Sequence, residues 1–278
     1  MRIRIAHSPD SDDAFMFYPM VSGEIDTEGF QIEHVLADIE TLNREAFKGT
    51  YEVSAISFHA YPYVADKYLV LPSGGSVGDG YGPIVVSKKP LDTLRGKRVA
   101  IPGKLTTAYL VLKLYEPDFC EEVVPFDQVM DKVERQEADA GLVIHEGQIS
   151  YADRGLLKFV DLGQWWKEKT GLALPLGCNV VRKDLGEETI RKIERLMRRS
   201  VEYALSNVDK ALEYARDYAR DIKESQEKAF KFVSMYVNSR TVDYGEDGRQ
   251  AVRLLLSLGR ERGIINVDIP STIFSDEV

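Results

Sequence analysis

Nowhere does the chain run to the roughly eighteen consecutive apolar residues that a membrane-spanning helix needs. Its amino terminus, Met1-Arg-Ile-Arg-Ile-Ala6, reaches Asp10, Asp12 and Asp13 without the apolar core of a secretion signal. Cysteine is scarce. Cys120 and Cys178 stand far apart with no metal-ligand spacing, which argues against a disulfide framework or a cysteine-held zinc and points to reduced thiols in a cytoplasmic protein. A basic excess is missing too: 36 Lys and Arg face 45 Asp and Glu, for a net charge of −9. With a pI of about 5.1, neither nucleic acid nor an anionic membrane is expected as a general partner. A small anion held by local backbone donors stays compatible with that charge. Neither a short-period repeat nor a low-complexity segment is present.

What is present is ordinary globular material: 278 residues, 44% hydrophobic and 29% charged, enough for a substantial core and for two domains. Ile3, Ile5 and Ala6 predict a first strand. The loop through Ser8 and Asp13 leads into the apolar run Ala14-Phe-Met-Phe-Tyr18, and serine and aspartate there are helix N-cap signals, acids being favoured in the first turn. Asp10, Asp12 and Asp13 could be read as magnesium ligands, but capping and dipole roles need no ion and no later carboxylate cluster joins them, so no metal is expected. Phe30–Leu36 alternates as a second strand. In Asp38–Phe47, the residues Ile39, Leu42, Ala46 and Phe47 share one helical face, and Gly49 ends the helix. Val53–Ser57 is a third strand whose small residues allow a ligand to approach, and an aromatic helix over Phe58–Lys67 follows it, with Pro62 near its start. Units repeated in this way predict a mostly parallel sheet covered by helices.

Ser73–Gly82 is dense in glycine without matching a nucleotide loop. Pro83 stands where a dinucleotide fingerprint needs its third glycine, no Gly-Lys-Ser/Thr follows, and the next element, Pro83–Ser87, reads as a strand. The stretch is expected to be a flexible crossing between two lobes. The pattern then restarts, with strands at Arg98–Ile101, Glu122–Pro125 and Lys158–Leu162 and helices at Thr106–Tyr115 and Phe126–Arg135. Trp165 and Trp166 are expected near a return crossing, and Leu176–Val181 carries the chain back as a strand. From Glu187 the reading is helical. Ile190, Ile193, Met197, Val201 and Ala204 keep helical spacing, while the basic run Arg191–Arg199 lies mostly on solvated faces. Ala211–Ile222, Gln226–Val237 and Gly248–Gly263 are three more amphipathic helices, and Ile269–Phe274 has no assigned element.

Two stretches carry the candidate chemistry. Leu142, Val143 and Ile144 form an unbroken apolar run that stops at His145-Glu146-Gly147, which reads as a buried strand. Ligands of open α/β sheets bind outside the carboxyl ends of such strands, so His145 would stand at the mouth of a crevice, either as a base or as a loop cap. His145-Glu146 is not a zinc motif, because position 149 is Ile. The second stretch is Thr106-Thr107-Ala108, a helix start directly after a strand and the Pro102-Gly103 turn. Unpaired N–H groups, the helix dipole and threonine hydroxyls make it an anion site or else a plain cap. Residues 1–86 and 177–278 would form one lobe and 87–176 an inserted second, each a mostly parallel sheet flanked by helices. The crevice between them would be lined by Ser8–Asp13, Ser54–Phe58, Lys104–Ala108 and His145 with Glu146. That layout is the α/β, two-lobed type II periplasmic-binding-protein-like fold.

Several ordered motifs carry a more specific resemblance: Ser8-Pro9 with Asp13, Phe15, Phe17 and Tyr18; Asp38-Ile-Glu-Thr-Leu-Asn43; Ser73-Gly-Gly75. Pro102-Gly103 with Thr106-Thr-Ala-Tyr109, Gly141-Leu142 with Ile144-His-Glu146, and Asp161-Leu-Gly163 with Trp165-Trp166 continue the series. From about residue 3 to the C-terminal helices the chain resembles the 1,4-dihydroxy-6-naphthoate synthase family of menaquinone biosynthesis. The resemblance implies a cofactor-independent lyase that converts cyclic dehypoxanthine futalosine to 1,4-dihydroxy-6-naphthoate in the futalosine route. It carries the family's catalytic histidine onto His145 and its substrate contacts onto Ala55, Ile56, Ser57, Thr107 and Ala108, with Ser8 and Thr106 completing the expected contacts. The implied substrate bears a carboxylate, suited to the Thr106–Ala108 helix start. It must lose a proton and eject a sugar-derived fragment as the ring aromatises, and a neutral imidazole can take that proton while closing lobes exclude water. Asp10-Ser11-Asp12, His7 and Ala55 depart from the family's usual residues and touch the cleft wall. A cytosolic small-carboxylate binding protein and a chorismate dehydratase of the same pathway are the alternative readings.

Overall fold

The computed structural model describes residues 1–218 and 225–278. Buried Ile3 and Ile5 set strand β1 (Arg2–His7), which pairs in parallel with β2 (Gln31–Leu36) and β3 (Val53–Ser57). Helix α1 (Ser11–Val21) follows β1 and α2 (Ile39–Lys48) follows β2. The Asp38 side chain accepts from the Thr41 amide to start α2, and Gly49 ends it at φ 68°. After β3 the expected helix over Phe58–Lys67 contracts to one turn, α3 (Tyr61–Val64). The amides of Ala60, Tyr61, Tyr63 and Lys67 reach carbonyls three residues back, so tight turns replace a regular helix around the buried rings of Phe58 and Tyr61.

Strands β4 (Tyr68–Val70) and β5 (Ser76–Gly78) precede β6 (Ile84–Ser87). The glycine-rich stretch is therefore not a flexible crossing throughout: β5 pairs with a later strand, and its glycines serve close packing. A Cβ on Gly75 would fall 1.8 Å from the buried Tyr244 hydroxyl, and one on Gly78 would fall 2.0 Å from the Tyr81 carbonyl oxygen.

The second run comprises β7 (Arg98–Ile101), α4 (Thr107–Tyr115), β8 (Cys120–Val123), α5 (Val129–Glu134) and β9 (Ala140–Val143). It continues with α6 (Gly147–Ser150), β10 (Leu157–Asp161), α7 (Leu162–Thr170) and the returning strand β11 (Leu174–Arg182). One sheet has the order β2-β1-β3-β11-β4, with β5 also on β11; the other runs β10-β6-β9-β7-β8. Parallel pairing holds for β1 with β2 and β3 and for β7 with β8 and β9. Both sheets are nevertheless mixed rather than mostly parallel, because the crossing strands β6 and β11 enter from the other sheet and pair antiparallel with their neighbours.

Helix α8 (Glu187–Ser206) buries Ile190, Ile193, Met197, Val201 and Ala204 and packs on α1, while Arg195 and Arg199 reach Glu28 on the solvated side. The helix expected over Ala211–Ile222 begins earlier, as α9 (Val208–Ala215), and tightens at Arg216–Tyr218; residues 219–222 of that expectation lie outside the described residues. Helices α10 (Gln226–Tyr236), α11 (Ser239–Val242) and α12 (Gly245–Glu261) complete the chain, and the unassigned tail buries Phe274 beside Val70. Among the described residues no helix is long and apolar enough to cross a membrane.

Candidate functional site

The loop into α1, the carboxyl end of β3, the start of α4 and the middle of β11 converge on one cavity of about 760 Å³, its open mouth included. Ser8, Ala55, Ile56, Ser57, Thr106, Thr107 and Ala108, all singled out from the sequence, line it together. His145 does not. Its neighbour Ile144 lines the wall, and the His145 ring, 4% exposed, is turned onto backbone behind it. The Gly147 amide donates to Nδ1 at 3.2 Å, and Nε2 lies 3.2 Å from the Phe126 carbonyl. An accepting Nδ1 puts the ring's proton on Nε2, which then donates to Phe126.

At the end of β3, Ser57 is held by Asn43 of α2. Asn43 Oδ1 accepts from the Ser57 amide at 2.8 Å and its Nδ2 donates to Ser57 Oγ at 3.1 Å, which leaves the Ser57 hydroxyl proton for the cavity. Across the cavity Thr106 caps α4, accepting from the Tyr109 amide at 3.2 Å and donating to the Gly103 carbonyl at 2.9 Å. Thr107 Oγ1 donates to the Leu176 carbonyl at 2.5 Å and accepts from the His59 amide at 3.3 Å. The two threonine hydroxyls thus serve the fold. What α4 offers a ligand is its first-turn amides at Thr107 and Ala108, which have no intrahelical acceptor, together with the positive end of its dipole.

The lining is also acidic. Asp10, Asp12 and Asp13 all line the cavity, and its lining contains no lysine, arginine or histidine among the described residues. Asp10 occupies the N-cap of α1 without capping it, so the expected capping role fails. Asp13 instead accepts from the Ser8 amide and hydroxyl at 2.7 and 2.8 Å. Burial pushes the Asp13 carboxyl up to about 7 against the pull of those bonds, and burial with the charges of Asp13 and Asp10 pushes Asp12 up as well. Glu146, beside His145, accepts from Ser11 Oγ at 2.9 Å and is raised by burial and by Asp10. Among the described residues no group of three or more His, Cys, Asp or Glu is arranged to hold a metal ion.

Several residues of the site escaped the sequence reading. Asn43 falls four residues after Ile39 on the apolar face of α2, so an amide on a buried stripe was the available signal. Asn179 and Cys178 arrive on β11 and line the cavity. Phe232 and Tyr236 of α10 cover it, with the Tyr236 hydroxyl donating to Gln148 Oε1 at 2.6 Å. No local pattern marks α10 as a cavity wall, because the contact depends on how the C-terminal helices fold back.

Comparison with known proteins adds an independent line. Residues 3–261 match the model of a menaquinone biosynthesis family. A 1,4-dihydroxy-6-naphthoate synthase from Thermus thermophilus is 44% identical over 262 residues, covering 94% of this chain and 95% of that protein. A crystal structure of a protein from Archaeoglobus fulgidus superposes with a TM-score of 0.92 at 50% identity, covering 95% of this chain and 98% of that one. For the fold alone, a Candida albicans protein described as having the generic periplasmic-binding-protein fold gives a TM-score of 0.67 at 14% identity over 98% of this chain and 99% of its own.

Proposed function

The chain belongs to the 1,4-dihydroxy-6-naphthoate synthase family of menaquinone biosynthesis, and from that premise we propose that it is the lyase converting cyclic dehypoxanthine futalosine to 1,4-dihydroxy-6-naphthoate. The observation that carries this reading is the shared cavity, which joins the end of β3 to the start of α4 at the height of the His145 loop. The substrate carboxylate binds at the Thr107 and Ala108 amides, and Ser57 donates to it from β3. The hydroxyl-rich fragment then faces Asp10 and Asp12, whose carboxyl groups accept from hydroxyls.

His145 is the general base in this account. With the ring parked behind Ile144, its use has the turn from Ile144 to Gly147 bring the imidazole onto bound substrate, in keeping with catalytic geometry that tightens only around the ligand. The lobes in this account are residues 1–86 with 177–278 and the inserted residues 87–176, a division supported by the passage of the chain between the two sheets at β6 and β11. Closure of those lobes, with Phe232 and Tyr236 over the cavity, excludes water from the reaction.

The test is incubation of purified protein with cyclic dehypoxanthine futalosine and chromatographic detection of the naphthoate. Product formed without added cofactor supports the proposal. Tight binding without product assigns a carrier, and consumption of chorismate assigns the dehydratase.

A further inference from the structure

Glu146 has no exposed surface. Its Oε1 accepts from Ser11 Oγ at 2.9 Å, tying the His145 loop to the start of α1, 135 residues away in sequence. Its Oε2 is buried without a hydrogen-bond partner and lies 3.8 Å from His145 Nδ1. A buried carboxylate oxygen left unpaired is costly, so this acceptor calls for a donor that arrives in another state of the site. The resting His145 ring has the complementary defect. Its lone pair on Nδ1 is taken by the Gly147 amide and its Nε2–H points at the Phe126 carbonyl, so neither nitrogen is free to receive a proton from the cavity.

We propose that Glu146 is the positioning residue for His145: in the working state Nδ1–H donates to Glu146 Oε2, which releases Nε2 from the Phe126 carbonyl and leaves it as the proton acceptor. The inference rests on the reading of His145 as the base. The tautomer change gives the Nε2 proton to solvent and takes one from solvent at Nδ1, so the ring stays neutral and nothing is oxidised or reduced. When Nε2 then takes the substrate's proton, the electron pair of that C–H bond stays with the substrate. The imidazolium's other N–H already rests on a carboxylate. Facing the pair are Asp10 from the loop before α1 and Asp12 from α1, while Tyr236 of α10 stands beside Asp12 and holds Gln148 of α6. Burial and Asp10 favour the protonated form of Glu146, so the pair is charged and competent only as pH rises.

Two measurements decide it. In Glu146→Gln, kcat falls at least about tenfold with KM within about twofold, and the acid limb of kcat moves to lower pH by at least about one unit, as loss of an adjacent charge requires. Ser11→Ala cuts the tie to α1 but keeps the charge, and lowers activity without moving that limb to lower pH; loss of the Ser11 bond, which favours the ionised form of Glu146, moves it upward instead. Nitrogen NMR of the His145 ring in wild-type protein reports the tautomer directly: Nε2–H when free, Nδ1–H with the naphthoate product bound. Wild-type kcat and an unshifted acid limb in Glu146→Gln, an equal shift in Ser11→Ala, or an Nε2–H tautomer in the product complex would each overturn the proposal. If Glu146→Gln does not fold, the wild-type tautomer measurement decides alone. If wild-type protein makes no product, the assigned activity fails and the role of Glu146 falls with it, whereas normal wild-type turnover with an unshifted acid limb in Glu146→Gln overturns Glu146 alone.

Discussion

Replacing Asn43 with alanine should unsettle the floor of the cavity more than its position on a helix suggests. Asn43 is fully buried and makes two bonds to Ser57, one to the amide at 2.8 Å and one to Oγ at 3.1 Å, with a further side-chain interaction to Glu40. Truncation leaves the Ser57 amide buried without an acceptor, which costs about 1–3 kcal/mol, and removes a neutral hydrogen bond from the hydroxyl, which costs about 1 kcal/mol. Asn43→Ala is therefore expected to lose about 2–4 kcal/mol and, at about 2–4 °C per kcal/mol for a chain near this size, to melt about 5–15 °C lower. Urea unfolding followed by circular dichroism measures the loss. Ser57→Ala and the double variant close a cycle whose coupling should be near 1 kcal/mol, because the amide bond survives in Ser57→Ala. A loss below about 0.5 kcal/mol in Asn43→Ala would refute the reasoning, since it would mean that the Ser57 amide finds another partner.

Acid should destabilise the fold before its surface carboxylates titrate. Burial holds His7 down at about 3, with His34 adding to the effect, and burial alone holds His34 and His59 at about 4. These depressed values mean that the unfolded chain binds more protons below about pH 6.5, so stability is lost as pH falls from there toward about 4, by up to about 1.4 kcal/mol per pH unit for each histidine. Asp13 works in the opposite sense, costing stability as pH rises from about 4 toward 7. His34→Phe should flatten the acid-side loss of the urea midpoint between pH 7 and 5, and an unchanged slope would contradict the assignment. Gly75→Ala places a methyl group 1.8 Å from the Tyr244 hydroxyl and should cost about 1–3 kcal/mol in thermal unfolding. Adding Tyr244→Phe should recover part of that loss, and full additivity of the two substitutions would refute the clash.

The elements that could be read from the chain are those with a local cause. Asp38 and Gly49 bracket α2 through bonds made within a few residues, and the apolar run of Val53–Ser57 needs no partner to be recognised as a buried strand. Where the cause is distant, local signals mislead. Glycines 75 and 78 look like a hinge, yet they are small because Tyr244 and the Tyr81 carbonyl press on them. Asp10 and Asp13 look like caps, yet Asp13 holds Ser8 and Asp10 stands in the cavity wall. Antiparallel pairing of β6 and β11 follows from the two crossings, which no strand pattern announces. The cavity itself was partly legible, because strand ends and helix starts gather on one side of α/β sheets. Its cover was not: Phe232 and Tyr236 reach it only after the C-terminal helices have packed.

The central claim is that His145 performs chemistry in a cavity whose binding groups lie elsewhere. Calorimetric titration of His145→Ala with cyclic dehypoxanthine futalosine, run beside a product assay on the same preparation, tests it most directly. The account predicts substrate affinity within a few-fold of wild type and turnover lower by about 10²–10⁴-fold. Turnover near the wild-type rate would contradict it and return His145 to the role of a loop cap.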